Sequence, residues 1–238
     1  QTNVPAGLGR ATAVAAGDAH GLALRADGTV VAWGDNSRGQ CDVPAGLTDA
    51  VAIGAGWFHS LAVRSDGTVV GWGQNTQGQA QPPSGLRDVI AVAGGSDFSV
   101  ALRRQGRLVA WGNDAYGQTT GVLRAPLARR VVAGAQHGLV LTADGTVWGW
   151  GRNDSGQVPE GLWGSGVQSV AAGENYSLAV TADRGVMIWG GDRSGPTAIP
   201  TTLRDPVAIY AGRHQAVAVL APPRPVLRLE SVGDRLDL

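Results

Sequence analysis

The chain has 238 residues, enough for one domain or slightly more. Its 19 basic and 19 acidic residues give a formal net charge of zero, so no global field favours binding to nucleic acid or an anionic membrane. Cys41 is the one cysteine, which excludes an intrachain disulfide and a cage of thiolate metal ligands. No apolar run reaches membrane-spanning length, so we expect no membrane insertion.

A step of 39 residues runs through the whole sequence. We call a set of positions related by this step a column. The tryptophan column is Trp33, Trp72, Trp111, Trp150 and Trp189, and the glycine column is Gly17, Gly56, Gly95, Gly134, Gly173 and Gly212. A fixed period of this size is typical of repeat architectures.

The first complete copy, residues 11–49, predicts short strands in chain order. "ATAVAAG" is apolar and ends at Gly17, "HGLALR" alternates in polarity, and "TVVAWG" is apolar again. Asp27-Gly28 between the last two segments predicts a hairpin with a type I′ turn. After the polar "DNSRG", the segment "QCDVP" predicts a short fourth strand that includes Cys41. We therefore expect a four-stranded antiparallel meander in each copy.

The predicted strands carry apolar residues on both faces, bulky on one and small on the other. Both faces must then be covered, and stacking the sheets would place the large residues of one against the small face of the next. No window shows a sustained 3.6-residue apolar period, which argues against helical repeats. The all-β prediction is a β-propeller, because radial stacking leaves only short protected edges. A β-solenoid is the alternative, although its strands need no Asp-Gly hairpin.

"VAAGDAHGLALRADGTVVAWGDNSRGQ" resembles the regulator of chromosome condensation repeat, a family of seven-bladed propellers. The short step and the "VPAGL" connector are similar to bacterial propellers of the β-lactamase inhibitory protein II type. The resemblance covers residues 1 to about 220. It implies a propeller that binds other proteins with one face, but no exchange-factor activity, since no exchange-site residues can be matched.

The sixth copy departs from the pattern. Its hairpin turn falls on Pro222-Pro223, which cannot form a type I′ turn because proline fixes φ at negative values. We therefore expect propeller repeats over residues 1–220, with the last copy incomplete and six or seven blades in the intact protein. Residues 221–238 are interpreted as a closing strand or as the start of a following β domain.

Two sets of loops are expected on one side of the propeller. The AG turns follow the glycine column, and the WG loops follow each Trp-Gly pair. Loops on a rigid scaffold commonly carry binding residues. The AG turn at Trp57 and Phe58 is the predicted anchor, since large aromatics are typical of interfaces. The other predicted partner-binding residues are Tyr116, Arg38, Asn75, Asp114, Arg152, Asp154, Glu174, Arg193 and Arg213. The periodic tryptophans are instead expected to pack between blades.

Catalytic chemistry has little support in the sequence. His20, His59 and His137 share a column with Phe98, Tyr176 and Gln215, which indicates a structural position and not a metal site. No metalloprotease, phosphate-loop or serine-hydrolase motif occurs. We therefore expect neither an enzyme nor a cofactor.

The predicted function is a monomeric, bacterial, secreted scaffold for protein–protein interaction, with an extracellular or periplasmic location favoured. The alternative is a proteinaceous inhibitor of a hydrolase such as a β-lactamase. An enzyme or sugar-binding propeller is a third reading. The identity of the partner is not encoded in any motif that the sequence shows.

Overall fold

A computed structural model of the chain describes residues 3–161, 163–191, 203, 205–213 and 215–220. Within these residues the chain forms seventeen strands and one 3-10 helix, Gly121–Arg124. The strands form five three-stranded antiparallel sheets and one two-stranded sheet. None of the described helical structure has the length and apolar character that a membrane crossing requires. Pro222-Pro223 and the tail 221–238 lie outside the described residues.

Each sheet follows chain order, so consecutive strands are hydrogen-bonded neighbours. The first three sheets are β1 (Ala11–Ala16), β2 (His20–Arg25), β3 (Val30–Gly34); β4 (Ala50–Ala55), β5 (His59–Arg64), β6 (Val69–Gly73); and β7 (Val89–Gly94), β8 (Phe98–Arg103), β9 (Leu108–Gly112). The last three are β10 (Ala128–Ala133), β11 (His137–Thr142), β12 (Val147–Gly151); β13 (Val167–Ala172), β14 (Tyr176–Thr181), β15 (Val186–Gly190); and β16 (Pro206–Ala211), β17 (Ala216–Leu220).

The hairpin predicted at Asp27-Gly28 forms, but the type I′ turn is wrong. Arg25 N donates to Thr29 O over 2.9 Å, and Gly28 N donates to Arg25 O over 3.1 Å. Of the residues in this loop only Gly28 has a positive φ, of 81°. The loop therefore has three residues, a type I turn followed by a left-handed glycine. The Asp27 carboxylate fixes the loop by accepting bonds from the amide and hydroxyl of Thr29.

The predicted fourth strand is also wrong in the described repeats, because its backbone groups bind other partners. Cys41 N donates to Asn36 Oδ1 over 2.8 Å, which places Cys41 in a turn. The carbonyl of Gln40 accepts bonds from two side chains of the next repeat, Ser60 Oγ and Trp72 Nε1. These groups are therefore not available for a strand ladder. In the fourth repeat a single antiparallel bridge joins Trp163 to Val147.

The apolar core lies between sheets and consists of five clusters, each shared by two consecutive repeats. In the first, Leu22 and Leu24 of β2 pack against Ala62 and Trp72 of the second sheet. Trp72, Trp111 and Trp150 are at most 7% exposed in these clusters, whereas Trp33 and Trp189 are half-buried. The alternation of bulky and small faces along the strands produces this interdigitation.

The first strand of each sheet faces a common axis. One cavity of about 70 Å³ is lined by residues of all six repeats. The glycine column is required here: a Cβ on Gly134 would lie 2.4 Å from the carbonyl oxygen of Gly173 in the next repeat. Gly17 and Gly56 show equally short approaches to the repeats that follow them. These glycines allow neighbouring sheets to converge on the axis.

A polar relay crosses three of the interfaces between repeats. His59 Nε2 lies 2.8 Å from Ser99 Oγ, which donates to the carbonyl of Gln79. His20 pairs in the same way with Ser60, and His137 with Ser177. Because the serine hydroxyl donates to the glutamine carbonyl, the imidazole Nε2 must carry the proton that bonds the serine oxygen. The relay places a histidine with a protonated Nε2 in each of these interfaces.

Candidate functional site at the axial mouth

The AG turns and the WG loops lie on the same side of the molecule and are joined within each repeat. Asp35 N donates to Ala19 O over 2.8 Å, and Gln74 N donates to Phe58 O over 2.8 Å. Bonds in the same columns join the turn and the loop in the third, fourth and fifth repeats. Together the two sets form a single face, which we call the loop face.

Buried glutamines hold the WG loops in place. Gln79 Oε1 accepts a bond from Gln77 N over 2.8 Å, and its amide nitrogen reaches Asp97 Oδ1 at 3.2 Å. Gln40, Gln118 and Gln157 accept the equivalent backbone bond, and all four are at most 2% exposed. The glutamine column, which marks the end of the first four WG loops in the sequence, therefore fixes these loops.

Two predicted partner-binding residues hold the backbone of these loops. Asn75 Oδ1 accepts a bond from Ala80 N over 3.0 Å, and Asp114 Oδ1 accepts from the amides of Thr119 and Thr120. These bonds lower the pKa of Asp114, against the opposing effect of its desolvation. Both side chains thus have a structural task, and their contact with a partner stays a prediction.

Three other predicted residues meet at the end of the axial cavity. The guanidinium carbon of Arg213 lies 4.7 Å from the ring centroid of Trp57, although the two belong to the sixth and second repeats. Arg213 Nε lies 3.2 Å from Glu174 Oε2, and Nη1 lies 3.6 Å from Asp18 Oδ2. We call Asp18, Trp57, Glu174 and Arg213 the axial mouth. Asp18 was not among the predicted partner-binding residues, and it joins the group from the first repeat.

The axial mouth excludes much of the solvent around its two carboxylates. The side chains of Asp18 and Glu174 are 19% and 18% exposed, while that of Arg213 is 43% exposed. A cation on an aromatic face gains from the negative face of the ring, and more so when water is excluded. One guanidinium therefore contacts two carboxylates and one indole face.

A second cluster lies further out on the loop face. The guanidinium of Arg152 stands 5.0 Å from the ring centroid of Tyr116 in the preceding repeat. Arg152 also donates to Asp154 Oδ2 over 2.7 Å and to Gln136 Oε1 over 2.9 Å. Tyr116 is 44% exposed, so the structure brings together three predicted residues at an accessible position.

The remaining predicted site residues are more scattered. Phe58 is half-buried beside Trp57, and Arg38 is exposed at the tip of the first WG loop. Arg193 lies outside the described residues. The sequence analysis did not predict that His59 pairs with Ser99, although a regular pattern of serines 40 residues after the histidines indicated it. Every histidine of the column is followed at that distance by a serine, whereas Phe98 is followed by Gly138 and Tyr176 by Ala216.

Burial determines the charge of the column histidines in the described part of the chain. Burial lowers the pKa of His59 and of His137 to about 3, so both are neutral at pH 7. Burial also lowers the pKa of His20, opposed by the charge of Asp35. Among the described residues no three His, Cys, Asp or Glu side chains are grouped as metal ligands.

Solved structures share this fold. Prp20p of Saccharomyces cerevisiae gives a TM-score of 0.68 at 22% identity, covering 87% of this chain and 69% of its own. The CRINKLY WD40 ectodomain of the Arabidopsis thaliana receptor kinase ACR4 gives 0.71 at 20% identity, covering 90% and 76%. Human WBSCR16 gives 0.71 at 21% identity, covering 90% and 72%. At these identities the likeness is one of fold. No curated protein sequence matches the chain significantly.

A family model, the Regulator of chromosome condensation (RCC1) repeat, matches residues 11–40, 50–79, 89–118 and 128–157. The four matches cover half of the chain. Each begins at the first strand of a sheet and ends at the buried glutamine that fixes the WG loop. The matched unit is thus the physical unit of the fold. The chain belongs to the RCC1 repeat family.

Proposed function

We propose that this propeller is non-catalytic and binds another protein with its loop face. The observation that carries the proposal is the position of Trp57. Its indole is half-buried at the axial mouth, where side chains of four different repeats converge. Tryptophan and arginine are the residues that most often dominate the binding energy of interfaces.

The rigidity of the loop face supports this function. The buried glutamines and the backbone bonds between turns and loops fix the face before any partner arrives. Association then orders few additional groups, so less of the interaction energy is lost to conformational entropy. A partner would meet a preformed surface with Trp57 at the centre and Tyr116 and Arg152 farther out.

The structural relatives are consistent with a protein partner. Yeast Prp20p was characterised for its binding to Gsp1p and histones, and a second yeast structure shows Prp20 bound to Kap60. By analogy of fold, a propeller of this type can present a surface to other proteins. No described feature favours a hydrolase inhibitor over any other binder, so that alternative stays a prediction, as do the location and the monomeric state.

Recovery of partners from native lysate tests the proposal. The bait pair is the wild-type protein and the double variant Trp57→Ala, Phe58→Ala. The matched control is Leu123→Ser, since Leu123 is 84% exposed in the 3-10 helix of a connector and not on the loop face. We expect the loop-face variant to lose the proteins that the wild type and the control both retain.

The opposite pattern would contradict this assignment. If Leu123→Ser loses the partner while the double variant retains it, the connector and not the loop face is the binding surface. Circular dichroism and a thermal melt of all three proteins separate loss of binding from loss of fold.

A further inference from the structure

The arrangement around Arg213 has the features of an occupied binding site. The guanidinium stands against the indole of Trp57 with its centre 4.7 Å away, and N–H groups approach carboxylates on two sides. The three surrounding groups come from the first, second and fifth repeats, whereas Arg213 comes from the sixth. The residues that form the site and the arginine that occupies it therefore belong to different repeats.

The surrounding groups select for a planar cation. A guanidinium can lie on an aromatic face and still direct its N–H donors to carboxylates around its edge. An ammonium is a compact, strongly hydrated charge and lacks this planar fork. Among the described AG-turn residues Arg213 is the single cation, while Asp18, Asp97 and Glu174 are anionic. Removal of Arg213 would take away the cation that contacts both Asp18 and Glu174 beside the indole.

Arg213 is held less firmly than the corresponding residues of the inner repeats. The backbone bond from Glu174 N to Arg213 O is 3.4 Å long, whereas Ser96 N to Ala135 O is 2.8 Å. The next strand, β17, is largely exposed, while β5, β8 and β11 are buried along their length. The Arg213 side chain itself is 43% exposed. The guanidinium can therefore leave the site without breaking an apolar cluster.

We propose that the axial mouth is a guanidinium-binding site, filled by Arg213 in the free protein and by an arginine side chain of a protein partner in the complex. The preference for guanidinium rests on the geometry alone, whereas the arginine of a partner also requires the proposed function. Arg213 competes as a tethered ligand, so a partner must add contacts elsewhere on the loop face to displace it.

Titration with ethylguanidinium tests the site, with the indole N–H resonance of Trp57 as the readout. The protein variant is Arg213→Ala, and Trp57→Phe assigns the resonance. We expect a saturable shift with half-saturation at roughly millimolar ligand, as is reasonable for so small a molecule. The wild type should respond about tenfold more weakly, because the tethered Arg213 occupies the site.

Controls separate this site from general effects of the ligand and of the substitution. Ethylammonium tests the planar shape, and urea tests the charge. Arg152→Ala removes a second arginine from an aromatic ring on the same face, and it should behave like the wild type. No Trp57 shift in folded Arg213→Ala, an equal response to ethylammonium or urea, or an equal gain in Arg152→Ala would overturn the proposal.

Stability decides whether Arg213 is an exchangeable occupant. If Arg213→Ala does not fold, Arg213→Gln replaces it in the titration, since it keeps most of the side-chain length without the charge. Unfolding of both variants would contradict the proposal, because an exchangeable side chain cannot be essential to the fold. Failure of the lysate experiment with a positive titration would refute the proposed function and leave the guanidinium site intact.

Discussion

Residues of the same column are buried in the inner repeats and exposed to solvent in the first and last strands of the described fold. Val131 and Val170, in β10 and β13, are 7% and 1% exposed, whereas Val14, at the same position in β1, is 71% exposed. Likewise Leu61 in β5 is buried, whereas Val217, at the same position in β17, is 57% exposed. The local pattern sets which face of a strand is apolar, but only a neighbouring sheet makes that face buried.

The two exposed faces are those that would meet if the sixth sheet packed on the first. Each apolar cluster of the described residues joins consecutive repeats, and none joins these two ends. An ion pair between Arg213 and Asp18 does reach from one end to the other. Inner interfaces thus depend on apolar packing, whereas the contact seen between the ends is electrostatic.

Replacing an inner tryptophan should cause the largest loss. Trp150→Ala removes a ring that is 4% exposed and the bond from its Nε1 to Gln118 O, so we expect a loss of about 3–5 kcal/mol. Trp33→Ala, in the half-buried ring of the first repeat, should lose about half as much. Urea unfolding measures both, and equal losses would contradict the comparison.

Alanine substitutions in the glycine column test how closely neighbouring sheets approach each other at the axis. A Cβ on Gly134 would lie 2.3 Å from the ring of His137 and 2.4 Å from Gly173 O, so Gly134→Ala should cost about 3 kcal/mol. A Cβ on Gly212 would find its nearest neighbour at 3.4 Å, so Gly212→Ala should cost less than about 1 kcal/mol. Similar melting temperatures for the two variants would show that the inner repeats are not tightly packed.

The buried histidines predict a loss of stability in acid. Because the pKa of His137 is about 3 in the folded chain and 6.5 ordinarily, the unfolded chain binds a proton between these values that the folded chain excludes. Stability should therefore fall as pH drops below 6.5, by about 2 kcal/mol for this histidine between pH 7.5 and 5.

A double variant that copies the residues of another interface in the same chain tests whether His137 causes this loss of stability in acid. The double substitution His137→Phe, Ser177→Gly copies the natural pair Phe98 and Gly138. Its free energy of unfolding, measured by urea at several pH values, should fall less in acid than that of the wild type, because the contribution of His137 is removed. An unchanged pH profile would assign the acid sensitivity to other groups.

The smallest expected difference comes from a pair of valines. Val131→Ala should cost about 1.6 kcal/mol, from two buried groups at about 0.8 kcal/mol each, whereas Val14→Ala should change stability by less than about 0.5 kcal/mol. Thermal melts of the two variants provide the measurement. A large effect at Val14 would mean that another sheet covers β1 in solution.

Sequence reasoning found the period, the strands and the two loop sets, because these depend on local patterns. It failed at the fourth segment because side chains of the next repeat, Ser60 and Trp72, take the carbonyl of Gln40 that a strand would need. It also chose the wrong turn, because Asp-Gly fits both a two-residue and a three-residue loop. The contact between Trp57 and Arg213 depends on how the repeats close around the axis, which no local pattern records.

The histidine–serine relay gives the repeats a fixed order. A copy with histidine in this column is followed by a copy with serine at the next position, 40 residues further along the chain. A copy with phenylalanine in the column is followed by a copy with glycine at that position. Shuffling of copies that differ in these two columns would separate the matched neighbours. Recombination of this gene should therefore tolerate exchange of residues 11–49 with 128–166, which both carry the His-Gly pair, more readily than exchange of copies that differ, even though every unit has the same length.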